Sequence, residues 1–165
     1  MKHLIIVTTT ALTAVAVSGF LLPYRVEHSE IATAAPEQAW KTITDLQNHP
    51  TWNPNVVRLE GQPVVGTRLI NRTRSDTTEM TFHPEVIVAE PNRELRWRGS
   101  LGVRGLADGE HYYRIDTGPT PGQATITQGE VFRGALVTLL RPFFNLAAKF
   151  AVSTKSLAEH VEKQG

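Results

Sequence analysis

The stretch GEHYYRIDTGPTPGQATITQGEVF, residues 109–132, contains two strand-like segments on either side of a turn. Residues 109–116 and 124–132 are rich in aromatic and β-branched side chains, with polar residues interspersed, as is typical of half-buried strands. The intervening GPTPG, residues 118–122, is composed of turn-forming residues. Short strands that follow one another across such turns predict an antiparallel sheet rather than βαβ units.

A long amphipathic stretch follows the second of these strands. Apolar residues recur at helical spacing from residue 135 to residue 163, which predicts a C-terminal helix of almost thirty residues. Pro142 has no amide hydrogen to donate, so we expect a kink or a division near the start of this helix. A helix of this length is able to cross a whole sheet.

The first part of the globular chain contains a strand, a helix and further strands. Residues 24–33 alternate largely between polar and apolar and predict a strand. Pro36 and Glu37 suit the first turn of a helix. Other strands are predicted between turn signals at residues 55–60, 67–74, 78–89 and 93–101. The fold class is therefore α+β, with about seven antiparallel strands and a long C-terminal helix.

The N-terminal segment is apolar enough to target a membrane. Residues 4–22 carry no charged side chain, and a helix of that length measures about 28 Å, close to the thickness of a bilayer's hydrocarbon core. Residues 1–22 are predicted to be an uncleaved signal anchor or a signal peptide cut after residues 16–18. We favour the anchor, because the apolar run continues past the cleavage site. Lys2 then keeps the N-terminus cytoplasmic and residues 24–163 face outward, periplasmic or extracellular, whereas cleavage would make them a secreted domain.

Charge and composition exclude several classes of function. Beyond Lys2, the chain carries 16 basic and 16 acidic side chains, and such a balance argues against a nucleic-acid partner. No Cys is present, so thiolate metal sites and Cys nucleophiles are excluded. The six His residues show no spacing typical of a metal site, and neither a metal nor a cofactor is expected.

The order of elements and several local stretches resemble the START/Bet v 1-like superfamily. APEQAWKTITDLQNHPTWNP (residues 35–54) is similar to the first helix of that superfamily and the segment after it. PNRELRWRG (91–99), GEHYYRI (109–115) and TITQGEVFRGAL (125–136) are similar to its later strands. Within the superfamily, residues 24–163 most resemble the polyketide cyclase/dehydrase-like group. The resemblance implies a helix-grip fold, in which a curved sheet wraps around the C-terminal helix and encloses an apolar cavity.

The resemblance also indicates which side chains line that cavity. Strand alternation places His111 and Tyr113 on one face, and Glu130 and Phe132 on one face of the next strand. The resemblance implies that both faces point toward the helix, which makes His111 and Glu130 polar groups in an apolar concavity. Gly99 would leave room for a ligand. The predicted ligand-binding residues are Trp52, Phe82, Trp97, Gly99, His111, Tyr113, Glu130, Phe132, Phe143 and Phe150.

Three functions fit this prediction. The favoured one is a membrane-tethered, non-catalytic carrier or sensor of an apolar small molecule, such as a lipid, an isoprenoid or a polyketide-like compound. The second is a cyclase or dehydratase that uses His111 and Glu130 as acid and base. The third is a membrane-associated interaction module with a filled core. A cavity between sheet and helix separates the first two functions from the third.

Overall fold

A computed structural model describes residues 16–75, 78–143 and 146–164 of the 165-residue chain. The strands are β1 (Tyr24–Ala32), β2 (Val56–Glu60), β3 (Ile70–Ser75), β4 (Thr78–Phe82), β5 (Glu85–Glu90), β6 (Glu94–Ser100), β7 (Asp108–Thr117) and β8 (Ala124–Arg133). The α-helices are α1 (Pro36–Thr44), α2 (His49–Trp52), α3 (Val137–Leu140) and α4 (Ala147–Lys163), with 3-10 turns at Leu46–Asn48 and Arg141–Phe143.

The strands form two antiparallel sheets. The larger sheet has the order β1-β8-β7-β6-β5, and the smaller has the order β2-β3-β4. An isolated bridge between Arg68 and Glu85 connects the segment before β3 to the larger sheet. Helix α4 packs against β1 and β8, so the larger sheet grips the C-terminal helix as the α+β prediction requires.

One predicted strand is two strands in the structure. Residues 78–89 were expected to be continuous, but they divide into β4 and β5, which belong to different sheets. Pro84 lies at the break and has no amide hydrogen to donate to a ladder, so pairing stops there and resumes at Glu85. The described residues therefore form eight strands where about seven were expected.

The predicted pair of strands around the GPTPG turn is confirmed. β7 and β8 pair directly, so that His111 lies opposite Glu130 and Tyr113 lies opposite Gln128. The amide of Gly118 donates to the carbonyl of Gln123 at 2.8 Å and closes the turn. Residues that face each other across such a ladder have side chains on the same side of the sheet.

The predicted C-terminal helix is divided, as Pro142 requires. A short α3 and a 3-10 turn at Arg141–Phe143 precede α4, which has 17 residues rather than almost thirty. Helix α4 buries one face, formed by Phe150, Ser153, Thr154, Leu157, Ala158 and Val161. Two polar residues in this face, Ser153 and Thr154, lie against the sheet rather than in water.

The N-terminal segment is described only from residue 16 onward. Residues 16–21 are helical, and Ser18 and Gly19 contact the region after β8: the Ser18 and Thr138 hydroxyls lie 2.9 Å apart, and the Gly19 carbonyl accepts from the Gly134 amide at 3.1 Å. Within the described ranges, no helix is both long and apolar enough to cross a bilayer. Most of the predicted anchor or signal peptide, residues 1–15, lies outside those ranges.

Candidate functional site: an internal cavity with one polar end

A cavity of about 350 Å³ lies between the concave face of the larger sheet, the smaller sheet and α4. Eight predicted site residues line it: Phe82, Trp97, Gly99, His111, Tyr113, Glu130, Phe132 and Phe150. The strands position most of them, because alternate residues of β6, β7 and β8 face the same side of the sheet. The side chain of Phe143 lies outside the described part of the structure.

Trp52 does not line this cavity, in contrast to the sequence-based expectation. Its ring packs against His49 at 4.6 Å and against Tyr113 at 6.1 Å between centroids, and it is buried in the core behind the cavity wall. His49, one turn earlier on α2, lines the cavity instead. The Trp52 Nε1 atom is buried and has no hydrogen-bond partner among the described residues.

His111 and Glu130 form the polar centre of the cavity. Their register in the β7–β8 ladder brings His111 Nδ1 to 3.7 Å from Glu130 Oε2, and both side chains are mostly buried. Gly109 makes room for this arrangement, because a Cβ there would collide with the Glu130 carboxylate. The imidazole is stacked on Trp97, with centroids 4.9 Å apart and planes at 16°. Phe150 of α4 meets the imidazole edge-on at 5.5 Å.

Gln128 ties this centre to α4, and sequence reasoning did not select it. Its Oε1 atom accepts from the Ser153 hydroxyl at 2.6 Å and from Thr154 at 3.2 Å. Its Nε2 atom lies 3.2 Å from Tyr113 Oη and 3.3 Å from His111 Nε2. A strand residue thereby joins two side chains of β7 to two of the helix. The available signal was its alternation with Glu130 and Phe132, together with the polar Ser153 and Thr154 inside an otherwise apolar helix face.

Burial shifts the pKa values of two residues that line the cavity, His49 and Tyr113. His49 is fully buried, and this burial lowers its pKa from 6.5 to about 4, so the ring is neutral at pH 7. Its Nε2 atom donates to the Ile43 carbonyl at 2.8 Å. Burial raises the pKa of the Tyr113 phenol, so that group also stays neutral. Both residues are hydrogen-bonding rather than charged groups at physiological pH.

The remaining walls are mostly apolar and come from several elements. They are formed by Val56, Leu59, Met80, Pro84, Leu101, Ala107 and Leu146, interrupted by polar residues such as Asn53, Asn55 and Asn71 and by the charged residues Arg74 and Lys149. Within the described ranges, no three His, Asp or Glu side chains converge into a possible metal cluster. A largely apolar cavity with a small number of polar groups is typical of a binding site for a small organic molecule.

This cavity between a curved sheet and a C-terminal helix defines the class of protein as helix-grip, or Bet v 1-like. The sequence profile of the family described as polyketide cyclase / dehydrase and lipid transport matches residues 23–162, and the chain belongs to this family. No curated protein sequence is significantly similar to the chain.

Solved structures share the fold at low sequence identity. The Zhui aromatase/cyclase from Streptomyces sp. R1128 has a TM-score of 0.69 and 11% identity, over 86% of this chain and 95% of that one. Norcoclaurine synthase from Thalictrum flavum, in complex with dopamine and hydroxybenzaldehyde, has a TM-score of 0.67 and 12% identity, over 87% and 89%. A protein from Thermus thermophilus has a TM-score of 0.66 and 17% identity, over 86% and 99%. At these identities the likeness establishes the fold and leaves function to the site.

Proposed function

We propose that the chain binds an apolar small molecule in the cavity between sheet and α4, as a membrane-tethered carrier or sensor that performs no reaction on it. The observation that carries this proposal is the cavity of about 350 Å³, whose lining is largely apolar and includes the polar group of His111, Gln128 and Glu130. This volume suits a compound of drug-like size. The family match supports a lipid or a polyketide-like compound, since the family description names polyketide cyclases and lipid transport, and an isoprenoid is a third apolar candidate.

The arrangement of the polar groups supports binding more than catalysis. Gln128 engages His111 Nε2, and Trp97 and Phe150 enclose the imidazole ring, so these contacts hold the ring in place. Such a ring orients a ligand well. Both ring nitrogens already have polar neighbours, Gln128 Nε2 at 3.3 Å and Glu130 Oε2 at 3.7 Å, whereas a general acid or base must reach the proton that it transfers. The membrane tether rests on the uncharged residues 4–22.

A cyclase or dehydratase activity is the second candidate. The observation in its favour is the distance of 3.7 Å between His111 Nδ1 and Glu130 Oε2 inside a ligand-sized cavity. The aromatase/cyclase with the same fold gives this candidate further support.

The experiment begins with organic extraction of the purified chain and identification of any co-purified compound by mass spectrometry. The wild type and the Glu130→Gln variant are then titrated with that compound or, if none is recovered, with the apolar dye N-phenyl-1-naphthylamine. The affinity of a carrier falls only about two- to twelvefold in the variant, because one hydrogen bond contributes about 0.5–1.5 kcal/mol. Absence of both a co-purified compound and dye binding would overturn the proposal.

Product analysis separates the two candidates. The recovered compound is incubated with the wild type and with His111→Ala and Glu130→Gln variants. Conversion by the wild type that falls about 100- to 10,000-fold in either variant would establish the enzyme and reject the carrier. An unchanged compound in all three samples supports the carrier.

A further inference from the structure

Exposed apolar side chains gather in three segments near one end of the molecule. Residues 16–22, the loop at residues 101–106 and α3 contribute side chains that are 45–73% exposed. The most prominent are Phe20, Leu21, Leu22, Leu101, Val103 and Leu139. We refer to these six side chains as the apolar face. Isolated exposed apolar residues are common, but a contiguous group of this kind marks an interaction surface.

Backbone hydrogen bonds hold the three segments together. Gly134 N donates to Gly19 O at 3.1 Å, and Ala135 N donates to Gly105 O at 2.9 Å. Leu136 N donates to Leu106 O at 2.9 Å. The approach is close, because a Cβ on Gly134 would lie 2.5 Å from Leu106 O. The three segments that carry the apolar face are therefore neighbours on the surface of the protein.

Charges around the apolar face are mainly positive, although a carboxylate at its edge, that of Asp108, accepts from the Gly105 amide at 3.1 Å. Arg104, Arg133 and Arg141 belong to these segments or border them, and all three are exposed. Residues 16–22, 99–107 and 133–143 include no Asp or Glu, although the whole chain has 16 acidic residues against 17 basic ones. An apolar surface with a cationic border matches an anionic bilayer, where apolar side chains enter the interface and arginines meet the headgroups.

The sequence that precedes the apolar face favours the same partner. Residues 4–15 carry no charged side chain and lead directly into residues 16–22. A membrane-inserted N-terminal segment would therefore deliver the apolar face to the bilayer surface. Leu101 belongs to the apolar face and also lines the cavity, so the two features meet at this residue.

We infer that the apolar face docks on the surface of an anionic lipid bilayer and that apolar ligands pass between lipid and cavity past Leu101. Docking depends only on the surface, whereas ligand passage rests on the proposed function. The loop at residues 101–106 and α3 are thus a second membrane contact, in addition to the N-terminal segment.

Single fluorophores test this docking on the full chain. Because the chain contains no Cys, Val103→Cys and Leu139→Cys variants each accept one environment-sensitive label at a unique position. Val65→Cys is the matched control, since Val65 is 60% exposed and Val103 is 68% exposed, and Val65 belongs to none of the three segments. The labelled proteins are mixed with phosphatidylcholine vesicles, with or without phosphatidylglycerol, whose acyl chains carry a quencher.

We expect quenching and a blue shift at positions 103 and 139 but not at position 65. Arg104→Gln is expected to lower partition onto the anionic vesicles about fivefold, with little change on neutral ones. Labels at 103 and 139 that stay as accessible to water as the label at 65 would overturn the inference. So would a blue shift without vesicles that grows with protein concentration, since a second copy of the chain would then cover the surface. The assay needs no cavity ligand, so its outcome is independent of whether the chain binds one.

Discussion

Replacing Gly99 by leucine is expected to fill part of the cavity and to expel its ligand. Gly99 lies on β6, lines the cavity and pairs with Gly109 across the ladder. Among the described residues, the atoms within 4 Å of a Cβ built there belong to Pro84, at 3.5 and 4.0 Å. These are ordinary van der Waals separations, so the first carbon fits without strain. The remaining carbons then occupy space that a ligand would use.

The magnitude follows from the number of carbons that the cavity gains. Leucine adds three carbon groups beyond alanine, and each group of a displaced ligand loses about 0.8 kcal/mol of burial. Relative to Gly99→Ala the total is about 2.4 kcal/mol, or about sixtyfold in affinity. Gly99→Ala is the control and is expected to weaken binding by about fourfold or less, since it adds a single carbon.

Titration with N-phenyl-1-naphthylamine, whose emission rises when it leaves water, measures this difference. Thermal melts of both variants establish that they remain folded. Leucine in an existing void adds apolar burial, so the melting temperature of Gly99→Leu should be equal to that of the wild type or higher. Wild-type affinity in a folded Gly99→Leu protein would refute the placement of the ligand. A large fall in melting temperature would refute the void itself, because overpacking would then be the cause.

Three other substitutions test the structure around the site. The pKa of His49 is about 4 in the folded state and 6.5 when the side chain is in water. Between these pH values the unfolded chain holds a proton that the folded chain lacks. The free energy of unfolding therefore decreases as the pH falls from 6.5 to about 4. Urea titrations across this pH range should show that the wild type loses up to about 3 kcal/mol more of its free energy of unfolding than His49→Gln does. Equal pH profiles of the two proteins would contradict this prediction. Gln128→Leu is expected to lower the free energy of unfolding by about 1–3 kcal/mol, because the Tyr113 hydroxyl and the hydroxyls of Ser153 and Thr154 lose this hydrogen-bond partner. A urea midpoint equal to that of the wild type would contradict a stabilising role for these hydrogen bonds. Gly129→Ala is expected to destabilise the chain by about 1–3 kcal/mol, because its Cβ would collide with the Tyr112 ring, whereas Gly99→Ala should melt like the wild type.

The sequence predicts the side of the sheet that each residue faces, because a strand has a period of two. Alternation along β7 and β8 predicted which of His111, Tyr113, Glu130 and Phe132 share a face, and the resemblance to the superfamily supplied the direction of those faces; all four line the cavity. The break at Pro84 was missed, because residues 78–89 read as one strand when composition alone is considered. A proline without a donor ends a ladder only if its position would be paired, and pairing is a long-range property.

Contacts between distant segments were beyond prediction for the same reason. The role of Gln128 depends on Ser153 and Thr154, which lie more than twenty residues later on α4. The position of Trp52 depends on which side of the short α2 faces the core, and a helix of four residues has no periodicity from which to read this. Local sequence patterns predict which face of a strand a residue occupies. The packing of a helix against a sheet depends on contacts between distant residues, which only the structure provides.

The hydrogen bonds of Gln128 distinguish the part of this site that supports the fold from the part that only shapes the cavity. They join β7, β8 and α4, so the polar group around His111 and Gln128 also connects the sheet to the helix. The opposite walls, including Met80, Phe82 and Leu101, come from the smaller sheet and a loop and contribute mainly shape. Apolar exchanges of similar volume in such walls cost less than about 1.5 kcal/mol. Ligand preference in this chain can therefore be redesigned, or diverge during evolution, by changing walls while the Gln128 tie keeps the scaffold intact.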